Sequence, residues 1–165
     1  MKTILLLLLL VIQIPLLTDP EFPNFALYDV DGKRQVFYGI LKDQSPNKIF
    51  VLNFTSVDCI PCKKEIPELI ELEKKTPQMK LYCIFSEAGN IAGPVGKSLG
   101  LPNAYSDPME NIQKIFGVKS YPTTVVLGKQ GKILATLIGY NEENTKQLKK
   151  LLEKWNGKRY KNLLW

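Results

Sequence analysis

Residues 48–62 read KIFVLNFTSVDCIPC, an apolar run of strand length that delivers two cysteines, Cys59 and Cys62, into a segment with helical spacing. A nearly continuous apolar strand suits the centre of a sheet covered on both faces, and a helix directly after it makes a β–α step. The chain is therefore expected to be a layered α/β protein with this strand inside it. The step also leaves Cys59 at the mouth of the helix and Cys62 in its first turn.

The flanking segments extend the same pattern. Before the step, FALYDVDGKRQVFYGI holds two short strand-like runs around Asp31-Gly32, a favoured hairpin turn. After it, Ile66, Leu69, Ile70 and Glu73 recur at helical offsets, with Pro67 expected to interrupt the hydrogen bonding and kink the helix. MKLYCIF, residues 79–85, is a second strand candidate, whereas the four glycines and two prolines between Ala88 and Pro102 permit only a short or irregular helix. A further helix is expected to take Asp107 as its cap, Pro108 as its first residue and Gly117 as its terminator. TTVVLGKQGKILATLIGY reads as an antiparallel hairpin, and Asn141 can cap a last helix with Leu148, Leu151, Leu152 and Trp155 on one side. The expected order is a hairpin followed by β-α-β-α-β-β-α, in one domain.

Composition narrows the chemistry. The chain has three cysteines and no histidine, which excludes histidine-dependent triads, histidine metal sites and CxxCH haem attachment. Two close cysteines and one distant one fall short of the four ligands of structural zinc, so no metal and no other cofactor is expected. The formal charge is +6, but no dense basic block with interleaved aromatics appears outside GKRYK near the end, so nucleic acid is not an expected partner.

Two readings of Cys59 and Cys62 remain. At a helix start, the macrodipole and the free N–H groups of the first turn favour a thiolate at Cys59. Cys59 would then attack a disulfide, Cys62 would resolve the mixed disulfide, and Pro61 would stiffen the loop. Alternatively the pair is a permanent staple, although so short a loop contributes little loop-closure stabilisation. Pro122, at the start of a strand, is compatible with a cis bond after Tyr121. Cys83, within LYCIF, reads as a small buried hydrophobe.

The N-terminus has Lys2 followed by an apolar run from Ile4 to Leu17, broken only by Gln13 and Pro15. That run is shorter than the ~20 residues of a spanning helix and fits a secretory signal, although no small-x-small cleavage site follows it. Residues 1–17 are thus expected to be a signal peptide or an N-terminal membrane anchor, residues 4–17 offering a membrane tether. Residues 18–24 read as a linker, 25–155 as the folded domain and 156–165 as a tail. The expected location is outside the cytoplasm, periplasmic or on the outer face of the membrane, secreted or anchored.

VLNFTSVDCIPCKKEIPEL together with GVKSYPTTVVLGKQGKI resembles the thioredoxin-like family, and within it the exported TlpA-type thiol:disulfide oxidoreductases, over roughly residues 22–155. The resemblance implies a thioredoxin-like fold, with a central mixed β-sheet flanked by helices and an added N-terminal hairpin. It implies Cys59 as exposed nucleophile, Cys62 as its buried disulfide partner and Pro122 as a cis-proline facing them. It further implies that Ile60, Pro61, Tyr121 and Pro122 contact protein clients, the Tyr121 backbone pairing with an extended client segment. Clients would be protein thiols and disulfides, with apocytochrome c cysteines among them, and electrons would come from a membrane thiol donor. Glu87 matches the position from which some relatives move protons. The chain departs from the family at Asp58, where a tryptophan is usual, at Thr55, where an aromatic is usual, and at Asn53, where cytosolic thioredoxins carry a buried aspartate. The charge of Asp58 is expected to oppose the helix dipole at Cys59. Two other activities fit parts of the pattern: a peroxiredoxin-like peroxidase, since Ser56 to Cys59 loosely matches T-x-x-C, and a redox-inert binding module of the same fold.

Overall fold

A computed structural model describes residues 24–39, 48–101, 103–128 and 131–157. The expected export segment 1–17, the linker up to residue 23 and the tail from residue 158 lie outside the described residues. Asn24, at the end of that expected linker, accepts a hydrogen bond from the Tyr38 N–H through Oδ1 at 3.1 Å and so is tied into the fold. Among the described residues, no helix is long and apolar enough to cross a membrane.

Among the described residues, one mixed sheet of seven strands organises the fold. In chain order these are β1 (Ala26–Asp29), β2 (Arg34–Val36), β3 (Ile49–Thr55), β4 (Met79–Phe85), β5 (Ala104–Ser106), β6 (Thr123–Leu127) and β7 (Ile133–Ile138). Their order across the sheet is β2-β1-β5-β4-β3-β6-β7. β3, β4 and β5 run parallel, while β6 and β7 add antiparallel on one side and the β1–β2 hairpin on the other. The hairpin turns where expected, with Gly32 at φ 82° and its N–H on the Asp29 carbonyl at 2.9 Å. Every residue of β3 is buried, as its apolar run requires.

Alternation along β3 divides the core. Phe50, Leu52 and Phe54 face a cluster with Phe25, Phe37, Tyr82, Ile84 and Ile112. Ile49 and Val51 face the opposite cluster, with Leu81, Cys83, Phe85 and Val126. Helix α1 (Ile60–Lys75) packs Ile66 and Leu69 there, and α4 (Glu142–Gly157) adds Leu148 and Leu152 with Trp155 alongside. α4 is capped as expected: Asn141 Oδ1 accepts the Asn144 N–H at 2.9 Å. Asn53 and Thr55 belong by alternation to the α1 side, a placement that matters for the site.

Three details differ from the sequence expectation. Gly89–Ser98 forms a ten-residue helix, α2, despite its glycines and Pro94. Those glycines allow close packing: a Cβ on Gly89 would lie 2.4 Å from the Val30 carbonyl oxygen, and one on Gly96 2.8 Å from Ala104 Cβ. β5 is an additional three-residue strand. The helix expected to start at Pro108 starts instead at Asn111 (α3, Asn111–Ile115), because residues 107–110 close a turn, the Glu110 N–H meeting the Asp107 carbonyl at 2.9 Å. Asp107 still caps it from a distance. Its carboxylate accepts the N–H groups of Asn111, Ile112 and Gln113 at 2.9, 2.9 and 3.0 Å.

Candidate functional site

The parallel strands β3, β4 and β5 end on the same edge of the sheet, and their following loops carry residues 56–59, 86–88 and 107–110. β6 begins there as well, since Thr123 pairs with Phe54 near the end of β3. The site is assembled at this rim.

Cys59 is the N-cap of α1 and is joined to Cys62 by a disulfide. Its sulfur accepts the Cys62 N–H at 3.2 Å, so a first-turn donor of the helix is spent on it. Cys59 is partly exposed, whereas Cys62 is fully buried. Ile60 is 69% exposed and Pro61 is exposed too, so the loop between the sulfurs offers an apolar surface to solvent. Asp58 is exposed beside Cys59. One sulfur is open to solution and the other is not, so any partner disulfide reaches the pair through Cys59.

One turn beyond Cys62, Glu65 lies on the same face of α1 and is only 8% exposed. Asn53 Nδ2 donates to its Oε2 at 2.8 Å, and Thr124 Oγ1 reaches its Oε1 at 3.4 Å. Asn53 Nδ2 also meets Thr124 Oγ1 at 2.9 Å. Burial pushes the Glu65 carboxyl up from 4.5 to about 7, against the opposing pull of the Asn53 and Thr124 hydrogen bonds; Glu68 adds a smaller upward push. A buried carboxyl poised near neutrality can hold or release a proton one helical turn from the buried cysteine. Sequence reading did not single out Glu65. The available signal was its spacing: 62, 65, 66 and 69 form one stripe, and these are the four buried positions of α1.

Glu87 also reaches the rim. Its Oε1 accepts the Ser56 hydroxyl at 2.7 Å and the Val57 N–H at 3.2 Å, both in the loop that leads to Cys59. The Tyr121–Pro122 peptide bond is cis, Pro122 is buried and Tyr121 is half-buried. The Tyr121 hydroxyl donates to Gln113 Oε1. Gln113, Ser56 and Thr124 are thus part of the site, and nothing in their sequence surroundings distinguishes them. Cys83 is fully buried on β4, where burial first, then the charges of Glu65 and Glu73, push its thiol far above the ordinary range. It is the inert small hydrophobe its surroundings suggest.

Comparison with known proteins places this geometry among others. A family described as Thioredoxin-like domain matches residues 40–156. The protein named thiol-disulfide oxidoreductase ResA of Bacillus thuringiensis (strain Al Hakam) is 33% identical over 141 residues, spanning 81% of this chain and 76% of its own. ResA of Bacillus subtilis (strain 168) is 29% identical over 128 residues, spanning 75% and 69%. Among solved structures, the pneumococcal exposed lipoprotein thioredoxin Etrx1 of Streptococcus pneumoniae strain TIGR4 superposes with a TM-score of 0.64 at 25% identity, covering 80% of this chain and 99% of that one.

Proposed function

The chain belongs to the thioredoxin-like family and is a thiol:disulfide oxidoreductase related to the ResA proteins; from that premise we propose that it acts outside the cytoplasm as a reductase of protein disulfides. The observation that carries the reading is the asymmetric pair, a partly exposed Cys59 at a helix N-terminus bonded to a fully buried Cys62.

In the reduced protein the Cys59 thiolate attacks one sulfur of a client disulfide. A mixed disulfide forms, and the other client sulfur leaves as a thiolate that takes a proton from solvent. The Cys62 thiolate then attacks Cys59, closing the intramolecular disulfide and releasing the second client thiolate. Two electrons have passed from the pair to the client. A dithiol donor, here proposed to be a membrane thiol protein, then reduces the Cys59–Cys62 disulfide through its own mixed disulfide with Cys59, restoring the two thiols and leaving the donor as a disulfide.

Within this scheme each residue has a task. The helix N-terminus favours anionic sulfur at Cys59. Glu65 takes the proton that Cys62 must lose, since the buried Cys62 is itself closed to solvent. Ile60, Pro61, Tyr121 and Pro122 form the surface on which an extended client segment lies. Export is supported by the basic start and apolar run of residues 2–17 and by the name of Etrx1 as an exposed lipoprotein. Cysteines of apocytochrome c are one proposed client class.

Two variants test the activity. Cys59→Ser is expected to abolish reduction of disulfide clients, and Cys62→Ser to accumulate covalent client adducts separable on non-reducing gels. A redox-inert binding module predicts undiminished function in Cys59→Ser and no adducts with Cys62→Ser. The direction is tested by the reduction potential of the pair: a value near the strongly oxidising end, about −120 mV, overturns the reductase assignment.

A further inference from the structure

Glu65 is buried against the sheet, yet it also belongs to the wall of a groove of about 460 Å³ that runs between α1 and α4 over β7. Leu137 and Thr145 line the groove inside, and Glu68, Glu71, Lys75 and Lys149 line its edges. Those four charged residues are exposed, so the groove opens to solvent. The hydrogen bonds of Glu65 place its carboxyl at the groove floor. Its partner Thr124 stands opposite Leu137 in the β6–β7 ladder, and both residues turn toward the layer that holds Val126 and α1. The end of the groove nearest Glu65 is held by the turn between β7 and α4: the Tyr140 hydroxyl donates to Glu68 Oε1, and Asn144 Nδ2 donates to the Gly139 carbonyl at 2.8 Å. Cys83 on β4 lies in the same layer, while β3 and β6 offer Glu65 the neutral Asn53 and Thr124. The groove lining contains none of Cys59, Ile60, Pro61, Tyr121 and Pro122. Glu65 therefore lies one helical turn from Cys62 and also borders a solvent-filled groove that a client seated on the rim leaves uncovered.

We propose that the groove between α1 and α4 is the route by which Glu65 exchanges its proton with solvent while a client covers the rim around Cys59. The proposal rests on the proton transfer from Cys62 to Glu65 assigned above and adds its exit. The Cys62 thiol gives its proton to the Glu65 carboxylate, and the resulting thiolate attacks Cys59 and expels the client thiolate. Glu65 is then a carboxylic acid, and its proton passes to solvent along the groove, which restores the carboxylate. On re-reduction the proton travels the other way: solvent protonates Glu65, which protonates the Cys62 thiolate as the donor releases it.

The test uses the purified reduced protein and a fluorescent peptide whose cysteine is bonded to a coloured nitrothiobenzoate. Attack by Cys59 on the peptide sulfur releases the coloured thiolate. Resolution by Cys62 then frees the peptide, read as a fall in fluorescence anisotropy. Glu65→Ala is expected to slow this second phase about a hundredfold and to leave the first unchanged. Formate, small enough to enter the space the side chain vacates, is expected to restore the second phase in proportion to its concentration, with chloride at equal ionic strength giving no effect. Adding Thr145→Trp, which fills the groove, is expected to abolish the formate rescue while the first phase stays as it was. Rescue undiminished by Thr145→Trp overturns the route, and so does a slowed second phase that formate does not restore. Should the Thr145→Trp protein not fold, Lys149→Trp at the open edge carries the same comparison. A second phase in Glu65→Ala as fast as in the unmodified protein removes the base role of Glu65 itself, an outcome distinct from loss of the route alone.

Discussion

At the scale of single residues, the least legible feature is Glu65. A glutamate in a lysine-rich helix reads as solvent-facing, and only its spacing from Cys62 and Leu69 places it inward. The reason it can lie there is Asn53: a neutral amide on β3 offers a donor to the carboxylate, where an aspartate would have set two acids against each other. Its raised pKa has a thermodynamic sign. Between pH 4.5 and about 7 the folded chain keeps a proton that the unfolded chain has released, so stability falls as pH rises through that window and the loss is complete above it. Glu65→Gln is therefore expected to raise unfolding free energy at pH 8 by up to about 3 kcal/mol and to change little at pH 4, measured by urea denaturation at the two pH values. The same variant is expected to slow release from the mixed disulfide, since the group proposed to receive the Cys62 proton is gone. Cys59, Cys62, Cys83 and the placement of Pro122 at the start of β6 were by contrast open to reading, because each depends on local spacing and burial.

At the scale of elements, strands with long apolar runs and helices with side-chain caps could be read directly; β3, β4, α1 and α4 are of this kind. β5 could not, because three residues carry no periodicity and its pairing is supplied by β4 and β1. α2 was obscured by glycines whose helix-breaking tendency is outweighed by close approach to Val30 and Ala104. Two opposed effects meet at Gly96: alanine is intrinsically better in a helix by about 1 kcal/mol, yet its Cβ would lie 2.8 Å from Ala104 Cβ. The contact is expected to win, with Gly96→Ala lowering stability by about 1–3 kcal/mol in chemical denaturation. α3 began later than expected because the Asp107 carboxylate spans the intervening turn. Asp107→Ala leaves three N–H donors of that helix unmatched and is expected to cost about 1–2 kcal/mol, read as a lower Tm and faster amide exchange over residues 111–113.

At the scale of the whole molecule, the sheet separates an aromatic cluster from an aliphatic one, and the aromatic side binds the N-terminal hairpin to the rest. Phe37 is fully buried, stacks on Phe25 at 4.6 Å and meets Phe50 and Tyr82 edge-on at 5.8 and 6.2 Å. Phe37→Ala is expected to cost about 3–5 kcal/mol while unfolding stays a single transition by fluorescence and circular dichroism. Separate melting of the hairpin would instead mark it as an appendage. The overall α/β order was legible because the central strands and flanking helices each satisfy a local pattern; the sheet's full width was not, since it depends on β1 meeting β5 across nearly eighty residues of chain.

The parallel course of β3, β4 and β5 has a consequence for how such a protein can diversify. Three successive turns leave the sheet in the same direction, and the two after β4 and β5 hold neither cysteine nor any member of the two hydrophobic clusters, so lengthening or exchanging them remodels the rim and leaves both layers untouched. Electron-transfer chemistry and clientele are thus written on separable parts of the scaffold, and grafted turns offer a route to new targets for an unchanged pair of sulfurs.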